Sequence, residues 1–294
     1  MNWNILLQQI VNGISLGGVY ALMAVGFGLI FNVLKFSNFS HGGVVTLTAY
    51  VGFFLSKYVV SNFIVTFLIT AAAGGMAAVV IERLVFRPIR RKGYPISMLI
   101  VNSITVAMLV QQFFAVTLGA DYYTYPNFIK ETALHMGNLT VSKIYLLMLG
   151  ISAVVLGALT YVIQKTKIGI AIRAASSDIS TPSLMGVNVD FVISVAFFFS
   201  GVLGGITGYL LGMTFTVDPF IGSMILKGII ASIIGGMGSI LGGVIAGLLL
   251  GAAESLLIAE IGAALTPMVI YGSIILLLLV RPQGIAGKIT EVKA

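Results

Sequence analysis

The interval QKTKIGIAIRAASSDISTPSLMGVNVD, from Gln164 to Asp190, carries charged residues near both ends and separates two long apolar runs. These runs, Lys143 to Ile163 and Phe191 to Met213, each reach the length of about 20 mostly apolar residues that a membrane span requires. A charged interval between two such runs is typical of a loop that joins two transmembrane helices. The sequence therefore predicts membrane-spanning helices on both sides of this loop.

The composition extends that prediction to the whole chain. Of the 294 residues, 59% are hydrophobic and only 9% are charged, whereas soluble domains carry about 25% charged residues. The apolar runs are continuous rather than alternating, which argues against a transmembrane β-barrel. We therefore predict an all-α polytopic membrane protein, organised as a single transmembrane domain over residues 1–294 with a cytoplasmic loop at 164–190.

Several kinds of chemistry are disfavoured by residues that the sequence lacks. It contains no cysteine, and its two histidines are His41 and His135, so we expect no disulfide and no metal site. It contains no GxxxxGK[ST] motif and no HExxH motif, so we expect neither a nucleotide-hydrolysing loop nor a zinc protease site. We predict no enzymatic activity and no cofactor. The net charge of +7 comes from basic residues clustered in loops, which favours membrane orientation over nucleic-acid binding.

The basic loop ERLVFRPIRRKG, from Glu82 to Gly93, gives the strongest orientation signal. It holds five basic residues between Arg83 and Lys92, and such short loops lie on the cytoplasmic side of the membrane. Pro88 is expected to end any helix that enters the loop. Three spans precede this loop, so the N-terminus is predicted outside and the basic C-terminal segment inside. Of the eight or nine spans that the apolar runs allow, this parity favours nine.

The first of two breaks in the apolar pattern is NFSHGG, from Asn38 to Gly43. Polar residues at or within the membrane boundary are costly unless they face protein or water. Asn38, Ser40 and His41 are therefore candidates for residues that line or gate a translocation path. Alternatively, Asn38 and Ser40 cap the next helix and His41 lies at the interface; the two interpretations are compatible.

The second break is GGMGS, from Gly235 to Ser239, inside the apolar stretch Ser223 to Leu257. A continuous helix over that stretch would be about 50 Å long, against a bilayer core of about 30 Å. The stretch either tilts and extends or breaks at its glycines, and we favour a break. The path or gating candidates here are Gly235, Gly236, Ser239 and, further along, Glu254. Breaks at matching positions also suggest two weakly similar halves, an arrangement typical of transporters.

Ionisable residues within the predicted spans are few, chiefly Lys227 and Glu254. A carrier driven by protons or sodium usually needs more intramembrane charge than this. If the protein moves a solute uphill, the energy is therefore expected to come from elsewhere. Small residues also recur at four-residue spacing, which favours close helix packing; these ladders are Gly13–Gly17–Ala21, Gly204–Gly208–Gly212 and Gly243–Gly247–Gly251.

The middle of the central loop predicts a short helix on the cytoplasmic side. Arg173 and Ala174 continue the preceding helix, and Asp178 or Thr181 then caps a new one. Leu184 and Met185 would form an exposed apolar pair, and Gly186 is expected to end the helix. Such a helix either has no role beyond connecting the two spans or inserts into a groove on a soluble partner.

The chain resembles the shorter membrane subunit of branched-chain amino acid ATP-binding cassette importers. The resemblance covers nearly the whole chain and rests on five segments in order. They are NGISLGGVYALMAVGFGLIF near the start, NFSHGG, RPIR at Arg87 to Arg90, RAASSD with LMGVN between Arg173 and Asn188, and GGMGSILGGVIAGLLLGAAES. One departure is the Ser180–Ser183 segment, where the family more often has alanines and charged residues, which puts the start of the short helix in doubt.

The resemblance implies a permease in the bacterial inner membrane that translocates branched-chain or other apolar amino acids. It implies three kinds of partner: a second permease that is a copy or a paralogue, two ATP-binding subunits, and an extracytoplasmic solute-binding protein. It also implies that Arg173 to Asn188 contains the helix that couples the permease to the ATP-binding subunits. The same superfamily moves urea, short amides, sugars and nucleosides, and these remain alternative substrates. A stand-alone channel for a small neutral solute is the alternative from another class.

Overall fold

The computed structural model describes residues 3–119, 121–126, 128, 133–136, 139–177, 186–281 and 284. Within this part of the chain, seven helices are long and apolar enough to cross a membrane, and two shorter apolar helices cover Ile221–Ile234 and Thr266–Leu277. The predicted all-α polytopic fold is confirmed. The sequence favours nine spans, and the seven long helices together with the two shorter ones make nine.

The helices are labelled in chain order. They are α1 (Trp3–Leu34), α2 (Ser40–Phe54), α3 (Phe63–Ile81), α4 (Arg87–Arg91), α5 (Ile96–Leu118), α6 (Lys143–Lys165), α7 (Lys167–Ser177), α8 (Val189–Thr214), α9 (Ile225–Ile234), α10 (Ile240–Ile261) and α11 (Thr266–Val280). An antiparallel hairpin, β1 (Ala133–Met136) and β2 (Leu139–Ser142), precedes α6.

The end of α3 differs from the sequence expectation. The helix does not stop at Pro88 but continues through one π-helical turn, Glu82–Phe86, directly into α4. Pro88 lies in the first turn of α4, where the amide hydrogen that proline lacks is not needed for an intrahelical bond. The widened turn before it further loosens the hydrogen-bond pattern that a proline would otherwise disrupt. The basic segment is therefore largely helical.

Contacts divide the chain into two compact units, each built from separate stretches. The first unit comprises Met1–Gly28, Ile129–Val154 and Leu226–Ala294, and the second comprises Leu29–Phe128 and Val155–Ile225. Neither unit corresponds to an N-terminal or C-terminal half of the sequence.

In the first unit, two of the predicted small-residue ladders meet. A Cβ atom built on Gly13 would lie 2.7 Å from Ala252 Cα, and one built on Gly17 would lie 2.7 Å from Leu248 Cα. Real Cβ atoms do not approach other atoms so closely, so glycine is what permits α1 and α10 to touch along their backbones. Close backbone approach replaces the hydrophobic effect as a source of helix association in lipid.

In the second unit, α8 is the central helix. A Cβ atom built on Gly74 of α3 would lie 2.8 Å from Gly205 Cα, and one built on Gly208 would lie 3.0 Å from the Ala49 nitrogen of α2. The Thr48 hydroxyl lies 3.3 Å from the Gly204 carbonyl oxygen. The glycines of α8 therefore bring three helices together, in the packing role predicted for this ladder.

Candidate path, gating and coupling sites

The break between α1 and α2 is a short irregular segment in the second unit. At its start Lys35 has a φ of 55°, the one positive value at a non-glycine residue in the described chain. Asn38 then folds its side chain over the start of α2, where its Oδ1 accepts hydrogen bonds from the Ser40 nitrogen at 3.1 Å and the Ser40 hydroxyl at 2.6 Å. Both residues are buried. Asn38 thus serves the start of the helix, as the capping interpretation of the sequence allows.

His41 lies in the first turn of α2 and is also buried. Its Nδ1 is 3.3 Å from the Ser200 hydroxyl of α8, while its Nε2 has no hydrogen-bond partner among the described residues. A Cβ atom on Gly204 would come within 3.1 Å of its ring. The glycine of α8 therefore provides the room for this imidazole.

The break between α9 and α10 lies in the first unit and is made by glycines. Gly236 has a φ of +87° and Gly238 a φ of +93°, a conformation that other residues rarely adopt. Ser239 then caps α10, because its hydroxyl accepts a hydrogen bond from the Gly242 nitrogen at 3.1 Å. Gly235 packs directly against Gly242 across the turn. The predicted break is confirmed, and it is a well-defined turn between two helices.

Glu254 forms an ion pair with Lys227 on the other side of that break. Lys227 Nζ lies 2.5 Å from Glu254 Oε1 and donates to the Tyr20 hydroxyl at 3.0 Å. The ammonium group also lies over the Tyr20 ring, 5.2 Å from its centre. The Glu254 side chain is only 8% exposed, and its second oxygen, Oε2, has no partner among the described residues. Three helices of the first unit, α1, α9 and α10, thus contribute to one polar cluster.

A second charged cluster ties the basic segment to the start of α8. Glu82 is fully buried and accepts hydrogen bonds from Arg87 at 2.9 and 3.1 Å and from the Ser194 hydroxyl at 2.8 Å. Asp190, in the first turn of α8, pairs with Arg90 and with Arg91, the latter at 2.7 Å. We call these residues the arginine clamp. It joins the RPIR segment to the last residue of the 164–190 loop.

The main helix of the described part of the central loop is α7, which is separated from the end of α6 by Thr166 alone. Arg173 and Ala174 are exposed on this helix, while Ile172 and Ala175 are buried. Gly186 has a φ of +79°, which suits a residue that ends a helix. The other predicted coupling residues, Asp178, Thr181, Leu184 and Met185, lie outside the described residues.

A groove of about 200 Å³ lies between α7 and the start of α8. Its walls include the apolar side chains of Ile168, Ala171, Phe191 and Val195, and Phe191 is 60% exposed. Residues on both sides of the predicted coupling segment, Lys167 to Ala171 before it and Phe191 to Val195 after it, therefore contribute to this apolar groove.

Comparison with known proteins places these features in a family. The family described as branched-chain amino acid transport system / permease component matches residues 9–279. The chain belongs to this family. The high-affinity branched-chain amino acid transport system permease protein LivH of Escherichia coli (strain K12) is 32% identical over 296 residues, covering 96% of each chain. LivH of Salmonella typhimurium is 31% identical and BraD of Pseudomonas aeruginosa 28% identical, again with 96% of each chain covered. No solved structure matches the chain.

As a permease component, the chain is a multi-pass membrane subunit of a transport system with further components, and not itself an enzyme. The pentapeptide GISLG, Gly13 to Gly17, does match the GxSxG pattern of serine hydrolases. It lies inside α1, where the Ser15 hydroxyl is buried and donates to the Val11 carbonyl oxygen at 2.8 Å. The strand–turn–helix setting of a nucleophile is therefore missing. No group of three or more potential metal ligands occurs in the described ranges.

Two features of this permease were not predicted from its sequence. The pairing of Lys227 with Glu254 and Tyr20 was missed, although both charged residues were noted as rare intramembrane groups. The arginine clamp was missed because the basic segment was interpreted only as an orientation signal. The signal available for both was a carboxylate, Glu254 or Glu82, in an apolar surrounding, since such a group needs a partner.

Proposed function

We propose that the protein is the membrane-spanning subunit of an ATP-binding cassette importer for branched-chain or other apolar amino acids. Its similarity to LivH, at 32% identity over 96% of both chains, carries this proposal. An extracytoplasmic solute-binding protein delivers the substrate, and two ATP-binding subunits supply the energy. The sequence itself has no phosphate-binding loop, which fits a division of labour with separate ATP-hydrolysing subunits.

The chain is proposed to lie in the bacterial inner membrane beside a second permease, which is a copy or a paralogue. The N-terminus faces outward and the C-terminus inward, by the distribution of basic residues. The arginine clamp supports one part of this topology, because Arg91 and Asp190 can pair only when their two loops are at the same face. Both loops are then cytoplasmic.

The 164–190 loop is proposed to be the surface through which the ATP-binding subunits act. The exposed Arg173 and Ala174 and the apolar groove beside Phe191 support this role. The loop continues directly into α8, the central helix of the second unit, and the arginine clamp holds the start of α8 against the basic segment. Movement imposed on the loop would in this way reach the helix that packs against α2 and α3. Asn38, Ser40, His41, Gly235, Gly236, Ser239 and Glu254 remain the proposed path or gating residues.

The test is isolation of the tagged chain from its native membrane in mild detergent, followed by reconstitution with its partners. We expect an ATP-binding subunit to co-purify and leucine uptake to require ATP. Leu184→Asp should abolish co-purification and uptake while leaving membrane insertion intact, whereas Tyr94→Asp, at an exposed residue of the other loop, should not. An isolated homo-oligomer that passes small neutral solutes without ATP would contradict the proposal.

A further inference from the structure

Lys227, Glu254 and Tyr20 form a cluster with unused bonding capacity in an apolar setting. Lys227 Nζ carries three N–H groups, and its contacts with Glu254 and Tyr20 use two of them. Glu254 Oε2 is buried and has no partner among the described residues. A purely structural ion pair at this depth would be expected to satisfy its buried oxygen atoms, since each unsatisfied charged group is costly.

The groups that remain available have a definite chemistry. The third N–H of the Lys227 ammonium group can donate a hydrogen bond, and Oε2 of the Glu254 carboxylate can accept one. An α-amino acid presents the complementary set, because its carboxylate accepts and its ammonium group donates from a single carbon atom. Lys227 and Glu254 cancel each other's charge, and a zwitterion has no net charge either, so the occupied cluster stays neutral overall.

We propose that the Tyr20–Lys227–Glu254 cluster is a binding site for the zwitterionic head of the transported amino acid. The substrate carboxylate accepts from Lys227, with Tyr20 beside it, and the substrate ammonium group donates to Glu254. This inference rests on the proposed function and makes it more specific. Urea, simple sugars and most nucleosides offer no such pair of opposite charges, so the cluster favours amino acids among the alternative substrates.

The existing ion pair between Lys227 and Glu254 limits the affinity of the cluster for a zwitterion. A bound zwitterion has to displace or weaken this bond before its own two contacts form, so binding is expected to be weak. Weak binding suits a translocation path, because a site that holds its solute tightly slows its release. The neighbouring break at Gly235–Ser239 joins the two helices that carry Lys227 and Glu254.

The experiment is equilibrium dialysis of radiolabelled leucine against the purified permease complex in nanodiscs, without the solute-binding protein. We expect saturable binding, weakened at least about tenfold in Glu254→Gln and in Lys227→Met, since one charge-assisted contact is lost in each. Leucinamide, which lacks the carboxylate, and 4-methylpentanoate, which lacks the ammonium group, should compete at least about tenfold more weakly than leucine. Glu260→Gln, at an exposed position of the same helix, should bind leucine normally.

A variant that removes both charges separates ligand binding from folding. Replacing a buried ion pair by apolar residues is often neutral for stability, so Lys227→Met/Glu254→Met should assemble with its partners but not bind leucine. Leucine binding by this double variant, equal competition by the two analogues, or no saturable binding by the unmodified complex would each overturn the inference. Loss of the proposed function itself has a different readout, namely no ATP-dependent leucine uptake by the unmodified complex with its solute-binding protein.

Discussion

Arg87→Met tests whether the arginine clamp stabilises the protein or merely marks its orientation. In the structure, Arg87 donates two hydrogen bonds to Glu82, whose side chain is completely buried. Without Arg87, that carboxylate keeps the Ser194 hydroxyl at 2.8 Å and a distant Arg90 at 3.5 Å. Leaving a buried charge without its main partner costs about 3–5 kcal/mol. We expect the lower end, about 3 kcal/mol, because these two contacts remain.

The assay is thermal unfolding of the purified protein in detergent, with Arg83→Met as the matched control. Arg83 lies next to Glu82 in the sequence but is exposed, so its replacement should change stability by no more than about 0.5 kcal/mol. The loss in Arg87→Met should lower the unfolding temperature by roughly 5–10 °C. Glu82→Met/Arg87→Met, which removes the pair together, should recover most of that loss.

Two outcomes would refute this reasoning. Equal unfolding temperatures for Arg87→Met and Arg83→Met would mean that Glu82 finds another partner or is protonated, so that the clamp contributes no stability. A double variant that is less stable than Arg87→Met would mean that Glu82 acts through contacts other than the ion pair.

Two further substitutions test the packing and the break of the first unit. Gly17→Ala should destabilise the protein by about 1–3 kcal/mol, because the new Cβ would lie 2.7 Å from Leu248 Cα; Gly150→Ala, where nothing lies within 4 Å, should be neutral or slightly stabilising in the same unfolding assay. Ser239→Ala should cost about 1 kcal/mol, because the Gly242 nitrogen loses its cap; equal stability of Ser239→Ala and the parent protein would show that the cap is dispensable.

The spans were predictable because each depends on local composition. An apolar run of sufficient length forms a helix in a membrane whatever lies elsewhere in the chain, and α6 (Lys143–Lys165) begins at the same residue as its predicted run, Lys143 to Ile163. The break at Gly235–Ser239 was predictable for a similar reason, since adjacent glycines both permit positive φ values and weaken a helix. The continuation of the helix through Pro88 was not predictable, because it depends on the π-helical turn that precedes this residue.

The contacts between distant residues depend on information that a single sequence does not carry. Gly13 and Gly17 predicted a face for close packing, but nothing local to α1 identified α10 as the helix that packs there. Arg90 and Asp190 are 100 residues apart, and the charge of each was equally compatible with solvent. Only the tertiary structure showed which residues each of them contacts.

The pair formed by Lys227 and Glu254 bears on the alternative that the sequence left open at GGMGS, a tilted continuous helix or a break. These residues are 27 positions apart, and a continuous helix would separate them by about 40 Å along its axis. Side chains of this length cannot bridge such a distance, so the ion pair requires the chain to turn back on itself between them. The positive φ values at Gly236 and Gly238 provide that turn. The ion pair therefore requires the break, and a substitution that straightens the break should separate the two charges and expose each to the cost of an unpaired group in an apolar environment.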